Sequence, residues 1–335
     1  MLKNGLKPAK KPIIIRTKIP VTQIDHASIE QCRTTFVKQY GHFIHQTPLW
    51  KLPGKALGVN CDEVWLKLEH LQTGGSFKAR GMLNRLLSNP IPSSGVVIAS
   101  GGNAGIAVAA AAKELGVRCE VFLPEVSSAA KRAKLAALGA TVVVAGAAYA
   151  DAAKACVARQ IETGALMAHA YDQPEVLVGS GTLALEIEQQ GGVPDSVLVS
   201  VGGGGLIGGV ASWFTQRSRV VALEPELAPT LFNARQAGHP VDVVVSGIAA
   251  DSLGAKRIGD LAWEATQAHV RDALLVSDES IRAAQLWLWK ELKLAVEPAA
   301  ALPLAALHNG AYQPKANEKV CLIICGANVD AATLV

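Results

Sequence analysis

The sequence predicts an α/β protein of two parallel-type lobes with a ligand cleft between them. Three observations support this fold class. Short β-branched runs alternate with Ala-rich stretches from about residue 64 onward, and strands spaced by a helix's length need crossovers and pair in parallel. The series occurs twice along 335 residues, a length that suits two lobes. Glycine-rich turns follow three of the strands, at the carboxyl ends where α/β sheets hold ligands.

In the first series, VWLKLEH (64–70), VVIAS (96–100), RCEVFLP (118–124) and TVVVAG (141–146) read as strands. A helix begins near Lys78 in GGSFKARG (74–81). NAGIAVAAAAKELG (103–116) and SSAAKRAKLAALG (127–139) also read as helices, since Ala, Leu, Lys and Glu lose little side-chain freedom there. A helical stretch around 147–163 is the expected crossover between lobes. The second series has strands SVLVSVG (196–202), RVVALEP (219–225) and KVCLIICG (319–326), with helices near 174–190 and 278–294. The expected division is a large domain of residues 21–70 plus 166–335 and a small domain of residues 71–165.

Residues 1–20 form a basic arm, expected to be mobile: Lys3, Lys7, Lys10, Lys11, Arg16 and Lys18 stand there with no acid. The net charge is +4, and without those six cations the body is near −2. A nucleic-acid partner is therefore not expected. No apolar run is long enough to span a bilayer, which takes roughly 18 residues. The cysteines Cys32, Cys61, Cys119, Cys156, Cys321 and Cys325 are scattered without a CxxC pair. That pattern favours a reducing cytoplasm over a disulfide or zinc scaffold. The eight histidines are unclustered, and none is assigned to catalysis.

The three glycine turns are SGGNAG (100–105), GGGG (202–205) and CGANVD (325–330). Such turns let backbone N–H groups approach an anion at a helix N-terminus. The four-glycine turn stays open to three readings: a phosphate cradle, plain turn chemistry, or a dinucleotide fingerprint. For the last, Gly203, Gly205 and Gly208 satisfy G-x-G-x-x-G, and Glu224 stands 21 residues after Gly203 as a ribose-binding acid. That reading makes the chain an NAD(P)-dependent oxidoreductase, but leaves SGGNAG and GGSFK unexplained. A phosphorylated cofactor with a reactive lysine explains all of them. GGSFK is not a nucleotide P-loop, because it lacks the GxxxxGK[ST] frame.

SFKARG, SGGNAG, VGGGGLIGG and CGANVD occur in the order found in pyridoxal-phosphate enzymes of the tryptophan-synthase β fold (fold type II). The chain resembles above all the serine/threonine dehydratases, from TPL (47–49) to CGANVD. The resemblance implies that the large domain binds pyridoxal phosphate. Lys78 would hold it covalently and act as base, and Phe77 would lie on one ring face. Gly202, Gly203, Gly204, Gly205 and Leu206 would hold its phosphate. Asn103 would bond its 3-hydroxyl, and Cys325 would face its pyridine nitrogen. Ser100, Gly101, Gly102, Asn103 and Ala104 would hold the substrate carboxylate. Glu224, Ala228 and Thr230, in EPELAPT, match a site for a monovalent or divalent cation, with a plain strand-end Glu-Pro as the rival reading. Glu297 would line the site, and the segment around Ala249 would cover the ring's other face.

The implied activity is deamination of L-threonine or L-serine by α,β-elimination, giving a 2-oxo acid and ammonia. Phenylserine and hydroxyaspartate are alternative 3-hydroxy substrates. Gly101 replaces the serine of racemases of this fold, so efficient racemisation is not expected. Ala104 departs from the histidine common in threonine dehydratases, which leaves side-chain specificity open. A homodimer is implied, as is freedom from feedback by isoleucine, since about ten residues remain after CGANVD begins.

Overall fold

The computed structural model describes residues 23–334; the basic arm lies outside the described residues. The chain opens with helix α1 (His26–Gln39), capped by the Asp25 carboxylate on the Ser28 N–H at 2.8 Å. Strands β1 (Leu49–Pro53) and β2 (Glu63–Lys67) pair antiparallel. Then come α2 (Lys78–Leu87), β3 (Val96–Ala99), α3 (Asn103–Leu115), β4 (Cys119–Leu123), α4 (Ala129–Ala137), β5 (Thr141–Val144), α5 (Tyr149–Thr163) and β6 (Leu166–Met167). The second series is α6 (Pro174–Gly191), β7 (Ser196–Ser200), α7 (Gly205–Phe214), β8 (Arg219–Pro225), α8 (Thr230–Ala237), α9 (Asp260–His269), β9 (Val270–Val276), α10 (Asp278–Leu292), α11 (Pro298–His308) and β10 (Lys319–Ile323).

The strands form two sheets. Six run in the order β1-β2-β10-β7-β8-β9, and four in the order β5-β4-β3-β6. Apart from β1, neighbours pair in parallel. The α/β class is as predicted. β7 is buried at every position, which accounts for its unbroken apolar run between polar ends. β6 pairs with β3, Val96 facing Leu166. Residues 166 and 167 therefore join the four-stranded sheet, not the large unit to which the sequence division gave them. The expected strand at 64–70 ends at Lys67, and residues 69–71 turn into a short 3-10 helix.

A buried ionic cluster fixes α2 against α6. Arg80 is fully buried and donates twice to Glu69, through Nε at 2.8 Å and Nη2 at 2.7 Å. The same guanidinium reaches Glu186 on α6 at 3.1 and 3.2 Å. Lys67 Nζ donates to Glu186 Oε1, which Arg80 Nη2 also reaches, at 2.6 Å, and Arg33 approaches Glu186 Oε2 at 3.3 Å. Burial opposes the Arg80 charge, but the paired carboxylates raise its pKa above its ordinary value. Such a cluster specifies register more than it adds stability, provided every member stays paired. Its consequence for the site is that Arg80, two residues after Lys78, anchors the helix on which Lys78 stands.

Among the described residues, no helix is long and apolar enough to cross a membrane.

Candidate active site

The turn before α2 is stitched to the loop after β10. Ser76 and Gly326 form an antiparallel bridge. The Phe77 N–H donates to the Cys325 carbonyl at 3.1 Å, and the Ala327 N–H donates to the Gly75 carbonyl at 2.9 Å. GGSFK and CGAN, far apart in sequence, thus make one wall. Lys78 is the first residue of α2, with Phe77 at the N-cap. Its Nζ donates to the Ala170 carbonyl at 2.7 Å and lies 5.0 Å from the Phe77 ring centroid. Burial pulls the amine pKa down to about 8, against the opposing influence of Cys325 and Glu297. The neutral, nucleophilic form is therefore accessible near neutral pH. Burial, then Glu297, pushes the Cys325 thiol well up, so it stays protonated.

The four-glycine turn links β7 to α7. Gly204 has φ +89°, which favours glycine. A Cβ on Gly203 would stand 2.3 Å from the Tyr171 ring. The Gly202 carbonyl accepts from Thr230 Oγ1 at 2.7 Å, and the Gly203 carbonyl accepts from the Gly259 N–H at 3.0 Å. Among the described residues, the N–H groups of Gly203, Gly204, Gly205 and Leu206 donate to no protein oxygen. A cavity lies between this turn and Lys78, walled by Phe77, Asn103, Ser252, Leu253, Glu297 and Cys325. It meets a cleft of about 560 Å³ whose lining includes Gly101, Gly102 and Asn103 at the start of α3.

Asn103 sits where the two spaces join. Its Nδ2 donates to both Glu297 carboxylate oxygens at 2.9 and 3.0 Å, and its Oδ1 accepts from Asn328 Nδ2 at 2.6 Å. The amide is thus turned to Glu297, where the resemblance implied a bond to the cofactor. The Glu297 N–H donates to the Gly326 carbonyl at 3.1 Å, tying α11 to the same wall. Burial raises the Glu297 pKa from 4.5 to about 7, partly offset by Asn103. A carboxyl shifted upward stabilises the fold fully below its unfolded pKa, and that contribution is lost as pH rises through the folded value. Glu297→Gln is expected to keep the Asn103 bond and remove this loss. In urea unfolding, the variant should gain on wild type by about 3 kcal/mol at pH 8 and match it near pH 4.

Ser100 and Ala104 flank the cleft without lining it, and Ala104 is buried. Ala249 is also buried, and the wall its segment was expected to provide comes from Ser252 and Leu253. At the cleft mouth, Lys131 on α4 pairs with Asp251, and Lys134 Nζ donates to Asn328 Oδ1 at 2.5 Å.

A profile described as "Pyridoxal-phosphate dependent enzyme" matches residues 41–326. The chain belongs to this family. It is 37% identical over 278 residues to an L-threonine ammonia-lyase of Geobacter sulfurreducens, covering 81% of this chain and 68% of that protein. It is 35% identical over 294 residues to a phenylserine dehydratase of Ralstonia pickettii, covering 86% and 87%. The crystal structure of a threonine deaminase from T.th. superposes with a TM-score of 0.83 at 33% identity, covering 91% of this chain and 99% of that one.

As a pyridoxal-phosphate enzyme, the chain has residues that suit the cofactor. Free N–H groups at the α7 N-terminus suit a phosphate, a lysine with a depressed pKa suits an aldehyde, and both face one cavity. The dinucleotide reading fails on Glu224. That residue is fully buried and accepts from Thr230 Oγ1 at 2.9 Å, from the Leu231 N–H at 2.7 Å and from the Phe232 N–H at 2.7 Å. It caps α8 and has no open side for a ribose hydroxyl. The three residues expected at a cation are brought together by this cap, and the Ala228 carbonyl takes the Thr230 N–H at 3.1 Å. No cluster of three or more His, Cys, Asp or Glu able to hold a metal occurs among the described residues.

The sequence reading did not single out Ser252, Leu253, Asn328 or the 169–172 turn. Ser252 and Leu253 stood inside the segment around Ala249 that was expected to cover the site, and Asn328 stood inside CGANVD. The 169–172 turn lies in a loop with no periodicity to mark it.

Proposed function

We propose that this enzyme deaminates a β-hydroxy amino acid by α,β-elimination, with L-threonine as its first substrate and a 2-oxo acid and ammonia as products. The observation that carries the reading is one lysine amine, lowered to about 8, that shares a cavity with the glycine cradle and with Asn103 at the start of α3. The named activities of the relatives support it.

On this reading Lys78 would hold pyridoxal phosphate covalently and Phe77, on the same cavity wall, would support its ring. The N–H groups of Gly203, Gly204, Gly205 and Leu206 take the phosphate, with Gly202 oriented by Thr230. When bound, the cofactor supplies the electron sink that lets an α-proton leave. The chain's own residues then set the course. Lys78, in its free and neutral form, would be the base that takes the α-proton. The Gly101–Asn103 loop, at the α3 N-terminus, holds the carboxylate and so fixes which bond faces Lys78. Cys325, kept as a thiol on the cavity wall, would put no negative charge beside the cofactor ring. Gly101 offers no second base on the opposite face. Both features favour loss of the β-hydroxyl over re-protonation. A homodimer with the small domain at residues 71–167 belongs to the same reading.

The cleft favours a second reading. About 560 Å³ is more than a methyl group fills, and a phenylserine dehydratase is among the similar proteins. Release of 2-oxo acid from L-threonine, L-serine, phenylserine and 3-hydroxyaspartate separates the two. The first reading expects the highest kcat/KM with L-threonine, and a tenfold preference for phenylserine would replace it with the second.

A further inference from the structure

His169, in a loop after β6, organises the turn between the two halves of the site. Its Nδ1 accepts the Asp172 N–H at 2.9 Å and, more weakly, the Tyr171 N–H at 3.4 Å. Its backbone N–H donates to Gln173 Oε1 at 2.9 Å. A ring nitrogen that accepts these bonds carries no proton, so the turn requires neutral imidazole.

Each residue of the turn holds something. Ala170 presents the carbonyl that takes the Lys78 Nζ bond at 2.7 Å. Tyr171 lays its ring against Gly203 and stacks edge-on to His169, with centroids 4.6 Å apart. Asp172 caps α9 by accepting from Asp260 N–H at 3.2 Å and Leu261 N–H at 3.1 Å. The same helix start supplies the Gly259 N–H that holds the Gly203 carbonyl. One acceptor atom thus stands behind both the lysine and the glycine cradle.

We propose that His169 is a positioning residue: its neutral Nδ1 holds the 169–172 turn that orients Lys78 and backs the glycine cradle, and protonation of the ring releases both. It acts through Ala170 and Tyr171 and touches neither substrate nor cofactor. Burial, the largest influence, lowers its pKa from 6.5. Of the charges that face it, Asp172 favours the proton and Lys78 on α2 disfavours it; Tyr171 and Gln173 are uncharged neighbours. A lowered pKa means the neutral ring's contribution is intact above 6.5 and is lost as pH falls through the lower folded value.

The inference rests on the proposed role of Lys78, and variants of the holoenzyme test it. Asparagine places Oδ1 where Nδ1 stood, accepts the same bonds and does not titrate. His169→Asn is expected to bind pyridoxal phosphate within about twofold of wild type at pH 8, by tryptophan fluorescence, and to lose clearly less affinity than wild type between pH 8 and pH 5.5, the loss that remains being protonation of Lys78 itself. His169→Ala is expected to bind the cofactor about tenfold more weakly at pH 8, the loss of two neutral hydrogen bonds. Three results overturn the proposal: an Asn variant as weak as the Ala variant, an Asn variant with the wild-type acid limb, or an Ala variant with wild-type affinity. Failure of the functional reading shows elsewhere, as wild-type cofactor uptake that does not need Lys78.

Discussion

Lys78→Ala is expected to lose turnover by at least about a thousandfold, because one residue serves as both anchor and base. The substitution should also abolish the visible absorption of lysine-bound cofactor. The fold should survive. Lys78 sits at the first position of α2, where alanine is a good helix former, and among the described residues its side chain's hydrogen-bond partner is the Ala170 carbonyl at 2.7 Å. Circular dichroism and the urea midpoint should match those of cofactor-free wild type. A Lys78→Ala protein that still released 2-oxo acid at a tenth of the wild-type rate would remove the lysine from the mechanism.

Arg80→Met has the second large effect, and on stability. Methionine approximates the volume but leaves Glu69 buried with, among the described residues, only the Thr47 hydroxyl, since both of its guanidinium bonds are gone. Glu186 keeps Lys67 and Arg33, so the orphaned charge is mainly Glu69. Breaking a buried pair from one side costs about 3–5 kcal/mol, a large share of the roughly 5–15 kcal/mol that holds a domain together. Urea unfolding should show that loss, and Glu69→Gln added to Arg80→Met should recover part of it by removing the unpaired charge. A single-variant loss under about 1 kcal/mol would contradict the account of the cluster.

These two residues also mark what the sequence made legible. Lys78 announced itself because glycines, an aromatic ring and a helix start surround it in eight consecutive residues. The strands of the sheet interiors were equally plain, since parallel strands covered on both faces read as apolar runs. Arg80 stood in the same motif, but its partner Glu186 is 106 residues away, and no local pattern joins them. Lys67 is a charged residue inside a strand and is fully buried, which no local pattern marks. β1, β6 and β9 went unassigned for physical reasons. β6 has two residues, β1 is an edge strand with exposed positions, and β9 is an edge strand with polar residues and a bulge opposite Val220 and Val221. Glu224 misled because a helix-capping acid and a ribose-binding acid occupy the same sequence position after a strand. Only its burial and its bonds to Thr230, Leu231 and Phe232 separate them. The glycine turns were visible as glycines, but not the Tyr171 ring that forbids a side chain at Gly203.

The most direct test is a product balance on L-threonine with the cofactor-loaded protein. The account predicts equimolar ammonia and 2-oxobutanoate, with the unreacted threonine keeping its α-configuration because Gly101 supplies no second base. Recovery of epimerised threonine without 2-oxo acid, or no consumption of any β-hydroxy amino acid by protein that binds pyridoxal phosphate through Lys78, would contradict it.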